Sequence, residues 1–215
     1  MTKIDKWFQH EGCVMRRLTY GVGIIDTDYV LEPSKLVNGK RVRQVCPYYS
    51  RWKNMLRRCY HKKSMWETYN KTEVCKEWLT FSNFRAWMEK QDWEGKELDK
   101  DILGGGTLYS PTTCKFVDKS VNSFVLESSA TRGETMLGVH FNKREQVYEA
   151  HGQVGGRKKH LGRYKNQETA HLAWCLHKRC MLDKMDVEDR EVRVALEMKY
   201  DYYVDNALRE VAING

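Results

Sequence analysis

The chain has 215 residues, with 37 Lys+Arg against 29 Asp+Glu and a formal charge of +8. That length allows one large or two small domains, and seven Trp with 12% aromatic residues argue against a chain without cores. No apolar run nears the roughly 20 residues that span a bilayer, so no membrane partner is expected; the basic balance favours a polyanion.

Residues 1–12, MTKIDKWFQHEG, lack an apolar signal core, which points to the cytoplasm. The seven Cys are odd in number and form no CxxC pair, as expected of reduced thiols. The spacing of Cys46, Cys59, Cys75 and Cys114 is not that of a known zinc knuckle. They are expected to act as buried small hydrophobes, with no structural zinc.

Residues 1–45 read as a strand and hairpin region. Tyr20 to Ile25 and Tyr29 to Leu31 are predicted strands, and Asn38-Gly39 is a hairpin turn. Lys40, Arg41 and Arg43 either protect a sheet edge or approach a polyanion. From Tyr48 the period becomes helical. Trp52, Met55, Leu56 and Cys59 form one apolar face, with Arg51, Lys53, Arg57 and Arg58 opposite. That basic face suits phosphates or solvent, and His61 to Lys63 extend it. Thr72 to Trp93 holds helical pieces whose Val74, Trp78, Phe81, Phe84, Trp87 and Met88 read as core. Thr80 or Ser82 is the expected cap of a helix running to about Gln91.

Leu98 to Asn122 reads as a strand ending in acids, a glycine turn, a second strand at Cys114 to Val117 and a helix from near Asp118. Asp99 and Asp101 have a plain alternative role as caps of that turn. Leu126 to Glu134 is a polar link. Leu137 to Trp174 then reads as three short strands and a helix. Gly155-Gly156 is its hairpin turn, and Asn166 caps the helix at Gln167. If Val139, Phe141, Tyr148, Ala150, Leu161 and Tyr164 face the helix, then His140, Asn142, His151, Gln153, Lys158 and His160 form the other face. A face of donors and cations suits nucleic acid; an ordinary solvated face fits the pattern as well. Val187 to Ala212 closes the chain with one or two helices, expected to pack on the preceding modules.

Two stretches resemble known families. G138-V139-x-F141, YEAH, HLGRY and NQETAHLAW resemble the ethylene-response-factor (ERF) type DNA-binding domain over about 50 residues. That resemblance implies a three-stranded sheet docked in the major groove of double-stranded DNA. The family's usual Arg and Trp on the DNA face are replaced here by His140, Asn142, Gln153, Lys158 and His160.

The other stretch is similar to a variant HNH module of phage and mobile-element proteins. It has LDKD, then YSPTTCKF, then Asn122, preceded by WKNMLRRCY and VCKEWLTFSNF. This second resemblance implies a ββα metal nuclease using Mg²⁺ and no small-molecule cofactor. In it Asp99 and Asn122 are the metal ligands and Asp101 contributes a further carboxylate. Lys100 stands where the family places its general-base His, and Thr113 stands for the family's middle Asn. Asp101 or His61 is expected to substitute in part for the missing base, and Lys100→His to accelerate cleavage.

The expected fold is α+β. It comprises an N-terminal region at 1–45, an HNH-like ββα module with helical additions at 46–128, and an ERF-type sheet packed on one helix at 135–185. A helical segment occupies 186–215. The expected function is that of a homing or nicking endonuclease acting on duplex DNA. The rival is a DNA-binding protein whose nuclease module is degenerate. A third reading, a zinc-stabilised RNA- or protein-binding adaptor, rests on the charge and the cysteines alone.

Overall fold

A computed structural model of the chain describes residues 18–61, 71–104, 106–125 and 134–214. The expectations placed on residues 1–17, on Lys62 and Lys63, and on the link at 126–133 lie outside these residues. The fold is α+β, 42% helical and 23% strand. It divides into two compact units, 1–122 and 123–215. Among the described residues no helix is long and apolar enough to cross a membrane.

In the first unit, β1 (Ser34–Val37) and β2 (Lys40–Arg43) form the expected antiparallel hairpin. Asn38 and Gly39 take φ of 50° and 74°, the left-handed pair that a two-residue turn requires. α1 (Pro47–Tyr60) starts at a proline, whose fixed φ suits a first turn. Its buried residues are Tyr49, Trp52, Met55 and Leu56. The strands expected at 20–25 and 29–31 are absent. That segment makes isolated bridges instead, Thr19 with Gly23 and Ile24 with Thr80. Gly23 lies flat against Trp52 and Leu56, where any side chain would collide.

β3 (Glu73–Val74) leads to a 3-10 turn at Lys76–Leu79 and then to α2 (Phe81–Met88). The cap of α2 comes from outside the segment. Asp26 accepts from the Ser82 backbone N–H at 3.0 Å and from its hydroxyl, while Thr80 makes no capping bond. Trp52, Trp78, Phe81 and Phe84 are fully buried, and Trp52 Nε1 donates to the Trp78 carbonyl at 2.6 Å. Burying each such ring contributes on the order of 1.5–3 kcal/mol, so this cluster anchors the unit.

β4 (Glu97–Asp99) pairs antiparallel with β6 (Lys115–Val117), which α3 (Lys119–Val125) follows directly. Between them β5 (Leu108–Tyr109) pairs in parallel with β3, a link absent from the sequence reading.

In the second unit, β7 (Val139–Asn142), β8 (Val147–Val154) and β9 (Arg157–Tyr164) form one antiparallel sheet in that order. α4 (Gln167–Asp183) begins where expected, with Asn166 accepting from the Thr169 N–H at 2.9 Å. Val139, Ala150 and Ala170 form the centre of the packing, with Tyr148, Leu161, Tyr164 and Ala173 around them. Close approach needs glycine at two points. A side chain on Gly138 would strike Trp174, and one on Gly152 would strike His177.

α5 (Arg190–Asn214) packs on α4 around Trp174, Cys175 and Ala207. Asp189 caps it by accepting from Glu191 and Val192. Arg193 donates to the Leu182 and Met185 carbonyls at 3.0 and 3.1 Å, which satisfies the end of α4. Of the segment set apart from the sequence at 186–215, Arg190–Asn214 is one long helix within the second unit.

Candidate functional site

Two groups of chemistry-bearing residues stand out, one in each unit. In the first, the β4–β6 hairpin and α3 bring two oxygen-bearing side chains together. Asn122 on α3 donates its side-chain amide to Glu97 on β4. Glu97 was missed in the sequence because it precedes the LDKD motif by one residue. The pairing of Glu97 with Val117 places it beside the start of α3. A cleft of about 140 Å³ is lined by both residues together with Arg51, Asn54, Met55, Arg58 and Leu98. Arg51 donates to the Lys96 carbonyl at 2.9 Å, and Arg58 approaches the Tyr109 hydroxyl at 3.4 Å.

Asp99 lies two residues further along the same strand, hence on the same face as Glu97. One of its oxygens accepts from the backbone N–H groups of Asp101 and Ile102, both at 2.8 Å. Asp99 thus caps the glycine-rich turn. Burial pushes its carboxyl above the ordinary value, against the lowering effect of those two donors. Asp101 is exposed at the tip and paired at 2.5 Å with Lys100.

Lys100 is buried, and its Nζ also donates to the Gly106 carbonyl at 2.8 Å. It ties down the loop, so Lys100→His would remove a tether, and the acceleration expected from the sequence loses its basis. Thr113 is likewise structural, accepting from Ser110 N and donating to Leu108 O. His61 ends α1 and packs edge-on against Tyr20.

A stability prediction follows from the turn. Asp99→Asn keeps an oxygen for both donors, whereas Asp99→Ala leaves them unpaired at a cost of about 1–3 kcal/mol. Because folding raises the Asp99 pKa, the wild type loses stability as pH rises through the folded-state value. Asp99→Asn should gain on wild type over that range in denaturation midpoints. Equal pH profiles for the two proteins would refute the burial argument.

Among the described residues the thiols give no comparable site. Cys46 and Cys114 are buried in the first unit's core, with Cys59 and Cys75 packed against it. Burial raises all four, Cys59 to about 11 and Cys114 to about 12.

In the second unit, the outer face of the sheet carries the expected residues. His140 pairs with Glu149 across β7 and β8, His151 with His160 and Gln153 with Lys158 across β8 and β9. His140, Gln153, Lys158 and His160 are exposed, and Arg163, opposite Glu149, adds charge on this face, while Arg157 and Lys159 alternate to the other side opposite Val154 and Gly152. His177 Nε2 donates to the Gln153 carbonyl at 3.1 Å, fixing that backbone.

Asn142 departs from the role expected of it. Its oxygen accepts from the Arg144 and Glu145 N–H groups, and its amide donates to Glu149 at 3.1 Å. With both ends committed it braces the hairpin, and Gln153 is the amide left exposed on this face. Glu149, missed in the sequence, sits mid-face with Arg163 at 3.4 Å and His151 at 3.4 Å. The Asn142 hydrogen bond, first, holds its carboxyl below the ordinary value. Burial, then Lys158, holds His151 below its own.

Glu97 and Asn122 line the cleft together, and Asp99 is not among its lining residues. Comparison of the chain with protein-family models, curated proteins and solved structures finds no match.

Proposed function

We propose that the chain binds double-stranded DNA through the outer face of the β7–β9 sheet. The observation that carries this reading is a sheet closed by a helix on one side, with His140, Gln153, Lys158 and His160 exposed on the other. A major groove about 12 Å wide admits a β-ribbon, and exposed amides and cations are the groups that read base edges. Phosphates position the ribbon through Lys and Arg.

The test compares Gln153→Ala with Lys158→Ala in duplex-binding assays. Gln153→Ala should relax sequence preference, by up to about 1–3 kcal/mol at one base pair. Lys158→Ala should weaken binding to all sequences alike. No duplex binding by wild type would end the proposal.

A second reading, metal-dependent phosphodiester cleavage by an HNH-like first unit, is favoured by the Glu97–Asn122 pair in a cleft with Arg51 and Arg58. Glu97, Asp99 and Asn122 would hold Mg²⁺, which supplies Lewis-acid polarisation of the scissile phosphate. Arg51 and Arg58 would bind the phosphate and neutralise its charge. Lys100 holds the loop behind Asp99 in place. Among these residues none is placed to take a proton from water except a carboxylate, which predicts slow chemistry.

A further inference from the structure

We propose that Glu149, His151 and His160 form a binding site for a borderline divalent metal ion of the Zn²⁺ class. Their ligand atoms all lie within 4.8 Å of one another, and this is the one such convergence of His, Cys, Asp or Glu among the described residues. Two imidazoles and a carboxylate are a donor set that Zn²⁺ accepts, with the fourth position left to water or an oxygen anion. In tetrahedral coordination, ligands at ~2.0–2.1 Å from the metal stand roughly 3.3 Å apart. Glu149 Oε2 and His151 Nε2 are 3.4 Å apart before any adjustment. His160 is exposed, so its ring can turn to complete the set at little cost.

The sheet is built in a way that assembles these three residues. Ala150 pairs with Gly162, and an unbroken register would set Leu161 opposite His151. A bulge falls at that step, and His160 pairs with His151 instead, their rings 5.2 Å apart. Leu161 packs toward the core. Glu149 lies two residues before His151 on the same strand, hence on the same face.

The carboxylate is also held from behind. Its Oε1 accepts from Asn142 at 3.1 Å and meets Arg163 Nε at 3.4 Å, while Oε2 faces His151. Ligating carboxylates are commonly oriented by such outer hydrogen bonds. His151 Nδ1 is buried without a hydrogen-bond partner, so the ring is not consumed by a structural network. The site stands on this geometry and needs no nucleic acid.

The experiment titrates the full chain with Zn²⁺ in a calorimeter and with Co²⁺ in a spectrophotometer, in the absence of DNA. Wild type should bind one equivalent, with visible Co²⁺ bands of a four- or five-coordinate site. His160→Ala should weaken binding at least tenfold, by loss of one of three ligands. Glu149→Gln, which can keep the Asn142 contact, should weaken it similarly. Cys180→Ser, which removes an exposed thiol, should leave the affinity unchanged. Absence of stoichiometric binding would overturn the site. So would wild-type affinity in both His160→Ala and Glu149→Gln, or loss of binding in Cys180→Ser alone.

Discussion

Raising the salt concentration from about 50 to about 200 mM should weaken duplex binding by roughly fortyfold. Lys158 is exposed on the proposed sheet face, with Lys143 and Arg144 exposed in the turn beside it. If these three cations each neutralise a phosphate, the slope of log affinity against log salt is about −2.7, and a fourfold rise in salt then costs ~40-fold in affinity. Each Lys→Ala change at 143 or 158 should reduce that slope by about one. Gln153→Ala should leave the slope alone and change the ratio between cognate and unrelated duplexes. Fluorescence anisotropy over a salt series measures both quantities. A flat affinity across that range would remove the electrostatic basis for placing β9 against a polyanion.

What could be read in advance was local. Asn38-Gly39 and Gly155-Gly156 mark hairpins because few residues tolerate their backbone angles, and Asn166 marks a helix start because its side chain reaches the Thr169 N–H. The alternation of Val139 and Ala150 with His140 and His151 fixed which sheet face is closed, since a one-residue slip would bury every histidine.

What escaped depends on contacts distant in sequence. β3 and β5 have two residues each and pair across 35 positions, too short for any period to show. The segment at 20–31 has strand-like residues, yet Gly23 is pressed on Trp52 and its neighbours bridge to Thr80, which no local pattern announces.

Site residues were legible by type and hidden by occupancy. Asp99, Asp101 and Asn122 were visible as carboxylates and an amide. That Asp99 caps a turn, that Asp101 pairs with Lys100, and that Asn122 meets Glu97 emerges from three dimensions. Asn142 has the side chain of a base reader, but its own turn and Glu149 claim both ends.

With Mg²⁺ present, the chain should nick supercoiled plasmid slowly, and Glu97→Gln should bring that rate to background. Glu97 is the carboxylate in contact with Asn122, and it opens on a cleft with Arg51 and Arg58. Asp99 shares its strand face but spends one oxygen on the turn, so Asp99→Asn should retain partial activity. Asp99→Ala should lose both the ligand and the turn, and nick no faster than Glu97→Gln. The wild-type rate itself should be low. Lys100, which stands where the HNH resemblance would place a general base, is committed to Gly106 and Asp101. Lack of a base typically costs about 10²–10⁴-fold. Lys100→His should not recover that factor, because the imidazole cannot replace a tether to the Gly106 carbonyl and the loop behind Asp99 would loosen. Equal nicking by wild type, Glu97→Gln and Asp99→Ala would trace the activity to a contaminant and leave the first unit without an enzymatic role. In that case the DNA-binding reading stands by itself, since none of these substitutions touches the sheet.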